Sequence, residues 1–268
     1  MALDSAWLHP RLLPLEIQAR YRGSMRVELP DVLRHRLLFA LPREDRDRLV
    51  EWSEMVHLYR GDTVHAPGQL IEYIYFPLSA VFSLFGITVE GESVELCQVG
   101  REGIVGLSSV FPSSDIYQHE MLRTDVNVSG TALRISAGGI IEAFHEPGPF
   151  VHGLRRYFDI LFSNLVTGAT CNRHHSLKQR CARWVLSMQD RTATTEIQVT
   201  QENLSEVLGV RRQTIDILLG TLSGEGVIES ARGRLTVRDR KGLEAKACEC
   251  YWNTRRRFDQ FLNEISAL

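Results

Sequence analysis

The stretch "QENLSEVLGVRRQTIDILLGTL", Gln201 to Leu222, decides how the chain is read. Leu204 and Leu208 lie four apart, on one face of a helix. Thr200 precedes them, and its hydroxyl suits an N-cap. Asn203 stands where a full capping box needs Glu or Gln. Gly209 breaks the helix where a tight turn tolerates positive φ. Val210, Ile215 and Leu218 then resume the apolar pattern, and small Ser205 suits a close crossing. The pattern predicts two short helices at a steep angle, a helix-turn-helix. The start of the second helix points away from the core and carries Arg211, Arg212, Gln213 and Thr214. An arginine there can grip guanine O6 and N7, and a glutamine adenine N6 and N7. Thr214, the free amides of that turn, Thr200 and Gln201 can hold phosphates. A helical hairpin with a solvated, charged start would give the same pattern.

The segment downstream weighs against that plainer reading. "GVIESARGRLTVRD" predicts strand, turn at Gly233, strand, which is the wing of a winged helix. Arg232 and Arg234 at its tip would meet phosphate. Charge follows the same division. Residues 1–170 carry 15 Lys+Arg against 21 Asp+Glu, and residues 171–268 carry 16 against 12, an acidic body with a mildly basic end.

Upstream, "SLKQRCARWVLSMQDR" predicts a helix over 176–191. Before it, Leu154, Phe158, Leu161, Leu165, Gly168 and Asn172 are spaced 4, 3, 4, 3 and 4, a heptad seam. This predicts a dimer-forming helix over 149–175; one helix covering a β domain would give a similar stripe. From His57 to about Ile135 the signals are β: "EYIYF", "AVFSLFGITV", "SVELCQV", "EMLRTDVNV" and "TALRI", punctuated by glycines. They predict a small barrel or sandwich. Residues 31 to about 56 read as helical, and 1–30, with Pro10, Pro14 and Pro30, as an extension.

The 268 residues, 44% hydrophobic and 24% charged, suit about two globular domains. Leu70–Val89 is long enough to cross a bilayer, but Glu72, Pro77 and its β-branched and aromatic content predict two buried strands. Five cysteines at irregular spacing (Cys97, Cys171, Cys181, Cys248, Cys250) do not form a secreted disulfide framework. With no signal-peptide pattern at the N-terminus, a reducing cytoplasm is expected.

In this order, β domain, long helix, helix-turn-helix, hairpin, the chain resembles the Crp/Fnr family of bacterial transcription regulators. The resemblance covers roughly residues 35–250 and rests on "VTQENLSEVLGVRRQTI", "RGRLTVRDRKGLEAKACECY" and "CNRHHSLKQRCARWVL". It implies an α+β fold: a cyclic-nucleotide-binding-like β-roll (jelly roll) over 31–148, a long dimerisation helix over 149–175, and a winged helix-turn-helix over 176–268. It implies a homodimer on a near-palindromic double-stranded DNA site, with RNA polymerase as a further partner.

The departures from the family pattern carry expectations too. Cyclic-AMP-binding members have Gly-Glu and Arg-Ser pairs; here Gly106-Leu107 and His119, Glu120 stand near those positions. An acid there would repel a cyclic phosphate, so the expected effector is something other than cyclic AMP. The first cysteine is Cys97, which argues against an N-terminal iron–sulfur cluster. Many relatives have a DNA-contacting arginine where this chain has Ile217, and Asp216 beside it would face phosphate. The family pocket would draw on Gly106, Leu107, Ser108, Arg123, Thr124 and Asn164. A sensor that binds nothing and serves only as a dimer scaffold is the alternative.

Other signals are weaker. "GREGIVG" lacks the dinucleotide fingerprint and "GLSSV" is no nucleophile elbow, so no enzyme is expected. Cys171, His174 and His175 lack a second ligand pair at zinc spacing, and Cys248 and Cys250 point to different faces of one helix; no metal or cofactor is expected. Two rival readings are a small-molecule-binding module with a vestigial helix-turn-helix, supported by Asp216 and Ile217, and a metal-dependent hydrolase on His174 and His175.

Overall fold

The computed structural model describes residues 25–110 and 121–266. The N-terminal half opens with β1 (Met25–Arg26) and three helices, α1 (Leu29–Val32), α2 (Arg36–Phe39) and α3 (Arg43–Trp52). Helical structure ends at Trp52, four residues short of the sequence expectation. Met55, Val56, His57 and Leu58 alternate between partial and full burial, which is a strand signal that the acid-rich helix pattern before it overshadowed.

The strands are β2 (Glu54–Leu58), β3 (Thr63–His65), β4 (Tyr73–Pro77), β5 (Val81–Ile87), β6 (Ser93–Val99), β7 (Leu122–Val128) and β8 (Gly130–Ser136). They form two four-stranded antiparallel sheets, ordered β1-β2-β8-β4 and β3-β7-β5-β6. The predicted β-roll is present, and the Leu70–Val89 segment forms β4 and β5 within it. No helix among the described residues is long and apolar enough to cross a membrane. Val56, Leu58, Tyr75, Phe82, Leu84, Val99 and Val126 fill the roll with side chains.

A short helix, α4 (Ala137–Ala143), leads to the long α5 (Pro149–His174). Proline at the first position and a basic last turn suit both ends of α5. Its orientation corrects the sequence-derived seam. Leu154 is buried with Phe150 and Tyr157 in the protomer's own core, and Leu161 and Leu165 pack partly against the roll. A Cβ on Gly168 would collide with the Leu96 carbonyl of β6, and Asn172 donates to the Glu95 carbonyl at 3.1 Å. Of the named seam only Phe158 is exposed; it continues into Phe162 and Val166, one step around the helix. The helix has two apolar stripes, and spacing alone does not say which one covers the roll.

The head follows: α6 (Leu177–Thr192), β9 (Glu196–Gln198), α7 (Gln201–Leu208), α8 (Arg212–Gly224), β10 (Ile228–Ala231), β11 (Arg234–Val237) and α9 (Arg240–Glu244). Ser176 and Gln179 form a capping box at the start of α6. Trp184, Val185, Leu204, Leu208, Ile215, Leu219 and Leu235 form the head's core.

The last helix, α10 (Glu249–Ser266), leaves the head and returns to the body. Its Phe258, Phe261, Leu262 and Ile265 share one core with Leu37, Leu38, Leu154 and Tyr157. Cys248 lies just before this helix and Cys250 in its first turn. The expectation that the two thiols diverge assumed both were helical; Cys248 stands outside the helix, and the two converge.

Candidate nucleic-acid interface

The head's geometry follows from local chemistry. Thr200 Oγ accepts the Asn203 amide at 3.1 Å and starts α7. Gly209 ends it in the left-handed region, at φ 61°, and the Val210 amide closes the turn on the Ser205 carbonyl at 3.0 Å. Arg180 of α6, itself buried, donates to the Leu208 carbonyl and holds the end of α7. Sequence reasoning missed this residue, because a lone arginine in an amphipathic helix reads as a solvated one.

α8 begins at Arg212 with Arg211 as N-cap. Arginine has no acceptor to offer, so its side chain leaves the Arg212 and Gln213 amides available to an anion, while the Thr214 amide bonds the Arg211 carbonyl at 2.9 Å. Ile215, Leu218, Leu219 and Leu222 are buried, which turns Arg211, Arg212, Gln213 and Thr214 to the exterior. Arg212 Nε lies 3.4 Å from Gln201 Oε1, joining the starts of the two helices. Asp216 is exposed, and so is Ile217, at 72%.

The wing is the sheet β10-β11-β9, and Arg232-Gly233 make its two-residue turn, with Gly233 at φ 75°. Arg232 is exposed there. Arg234 is half exposed and pairs with Glu196 of β9 at 3.5 Å. The predicted DNA-facing residues thus lie on the leading turns of α7 and α8 and on the wing of one unit.

The head docks on the roll through a polar contact. Arg60 donates to the Gln198 carbonyl at 2.9 Å and to Asn203. Arg123 pairs with Asp125 at 2.7 Å and with Glu206 of α7, and its guanidinium lies 5.0 Å from the Phe85 ring centre. These groups line a cleft of about 340 Å³. Burial pushes Asp125 above the usual carboxylate range, against the pull of Thr63 and Arg123. Deeper in, Glu95 accepts from Ser83 and from Trp184 of α6 at 3.3 Å, and burial raises its pKa as well.

The predicted effector-pocket residues do not come together. Arg123 faces the head while Thr124, next along β7, is buried on the other side of the strand. Leu107 is in the hydrophobic core, partly buried Ser108 lies beside it on the same 3-10 turn, and Gly106 turns at φ 86° beneath the Tyr73 carbonyl. Asn164 accepts from Arg257 of α10 at 3.0 Å. His119 and Glu120 lie outside the described residues.

Residues 179–246 match the Crp-like helix-turn-helix domain. No curated protein sequence matches the chain. Among solved structures it is similar to FixK2 from Bradyrhizobium japonicum, at 12% identity and a TM-score of 0.61 over 73% of this chain and 98% of that one. It is similar to a CRP/FNR-family transcriptional regulator from Thermus thermophilus, at 20% identity and 0.56 over 72% and 98%. It is also similar to the c-di-GMP responsive global regulator CLP of Xanthomonas campestris, at 15% and 0.58 over 73% and 99%. At these identities the likeness is one of fold. Residues 179–246 are thus a Crp-like helix-turn-helix domain, and the chain as a whole has the fold, roll, long helix and head, of the Crp/Fnr-family regulators it is similar to.

Proposed function

We propose that the protein is a homodimeric, sequence-specific DNA-binding regulator that acts in the cytoplasm, has no catalytic activity, and answers to an effector other than cyclic AMP. The observation that carries this reading is the outward leading turn of α8, its arginines held out by four buried aliphatic residues behind them. Arg212 and Gln213 read base edges; Arg211, Thr214, Thr200, Gln201, Arg232 and Arg234 hold the backbone. Arg234 does so by exchanging Glu196 for phosphate.

The dimer forms through the exposed line Phe158, Phe162, Val166 of α5, giving two heads for a near-palindromic site. A roll filled with aromatic and aliphatic side chains, and a buried Leu107 beside Gly106, support an effector unlike cyclic AMP. RNA polymerase is the partner such a regulator would engage on DNA.

Selection from a random duplex library tests the reading. The expected result is a two-fold symmetric motif with half-sites about one helical turn apart. A second reading, a sensor with a vestigial head, draws on exposed Ile217 beside Asp216; selection that enriches no motif would establish it in place of the first.

A further inference from the structure

At the joint between body and head, three buried thiols form a cluster of their own among the described residues: Cys171 of α5, Cys248, and Cys250 of α10. His175, the residue after α5, completes the group. The three Sγ atoms and one ring nitrogen all lie within 4.8 Å of one another. Cys171 and Cys248 Sγ are 3.5 Å apart, and Cys250 Sγ is 3.6 Å from His175 Nδ1. A tetrahedral zinc ion, with bonds of about 2.3 Å to sulfur and 2.0–2.1 Å to nitrogen, holds its ligands about 3.5–3.8 Å apart. From this geometry we infer that Cys171, His175, Cys248 and Cys250 form a structural zinc site.

The surroundings fit. His175 Nε2 donates to Glu249 Oε1 at 3.0 Å, which fixes the tautomer and turns Nδ1 to the thiols. Three thiolates, a neutral imidazole and Zn²⁺ leave one net negative charge. Arg180 and Arg183 are near enough to act on Cys171 electrostatically and offset it. Zinc uptake releases the thiol protons to solvent. Four protein ligands leave no open position, so the ion is a clasp and not a catalyst. It fastens the end of α5 to the start of α10, where the chain both enters and leaves the head. Exposed His174 has no part in it.

Elemental analysis of the full-length protein, purified without chelator and with any tag removed, tests the site. One zinc per chain is expected, together with thiolate-to-cobalt absorption when Co²⁺ replaces it. Competition against a chromophoric chelator should show Cys171→Ser, Cys250→Ser and His175→Ala at least about tenfold weaker for Zn²⁺. His174→Ala should match the wild type. Because a lost ligand could unfold the joint, His175→Cys is the second arm: four thiolates keep the zinc in a folded protein. A wild-type chain that takes up neither Zn²⁺ nor Co²⁺, one that carries iron with the absorbance of a cluster, or a His175→Cys chain that folds without zinc would overturn the assignment.

Discussion

Arg212 and Arg232 have different work in the proposed interface, and single substitutions separate them. Replacing Arg212 with Ala should cost about 1–3 kcal/mol of binding and relax selectivity at one base pair per half-site. Selection with the variant protein measures this; unaltered selectivity would mean that Arg212 does not read a base. Replacing Arg232 with Ala should weaken binding to every sequence alike and flatten the salt dependence by about one unit. Away from DNA, His35 makes a pH prediction. Its ring is fully buried, Nε2 donates to the Gly103 carbonyl at 2.8 Å and Nδ1 accepts the Leu38 amide. Burial lowers its pKa from 6.5 to about 4, partly opposed by the Gly103 bond and by Glu102. The unfolded chain therefore binds the proton more readily. The neutral ring's contribution is whole above pH 6.5 and is lost as pH falls towards 4, by about 2 kcal/mol at pH 5. Urea melts at pH 7 and pH 5 should show this loss in the wild type, and His35→Asn, which keeps an acceptor for Leu38, should lack that part of it.

At the scale of elements, α5 shows what a sequence pattern withholds. On a solvent-facing or partner-facing helix surface, Gly168→Ala would gain up to about 1 kcal/mol from propensity. Against the Leu96 carbonyl it should instead destabilise the chain by about 1–3 kcal/mol, read as a lower urea midpoint. Phe162→Glu should turn the proposed dimer into a monomer in sedimentation while leaving the melting temperature of each protomer near its original value. The helix-turn-helix and wing were legible because their signals are local: a cap at Thr200, a left-handed glycine at 209, a two-residue turn at Arg232-Gly233. Five strands of the roll were legible from their β-branched and aromatic runs. The stripe on α5, the Arg180 tie to Leu208 and the gathering of Cys171 with Cys248 were not. Each depends on which elements meet across tens of residues, and no local period encodes that. The effector residues failed for a related reason: Arg123 and Thr124 are neighbours in the chain, yet strand alternation sends them to opposite sides.

At the scale of the molecule, the body is finished by the end of the chain. Phe258, Phe261, Leu262 and Ile265 complete the core that Leu37, Leu38 and Tyr157 begin. Phe261→Ala should cost the body about 3–5 kcal/mol, while hydrogen exchange in the head core around Trp184 and Leu204 stays protected. Topologically, residues 177–247 are then an insertion: the path out at His175 and the path back at Cys248 run side by side. An insert whose two ends touch is a cassette. A loop of a few glycines and serines could take its place without stretching the body, and a foreign reading head with adjacent ends could be spliced into the same socket. The same layout limits how a signal travels. Joined covalently at one spot and held on the roll by the Arg60, Arg123 and Glu95 contacts, the head can swivel or tilt about the joint only as those contacts open, so in the proposed dimer a signal from the roll would reach DNA as a change of angle between two heads.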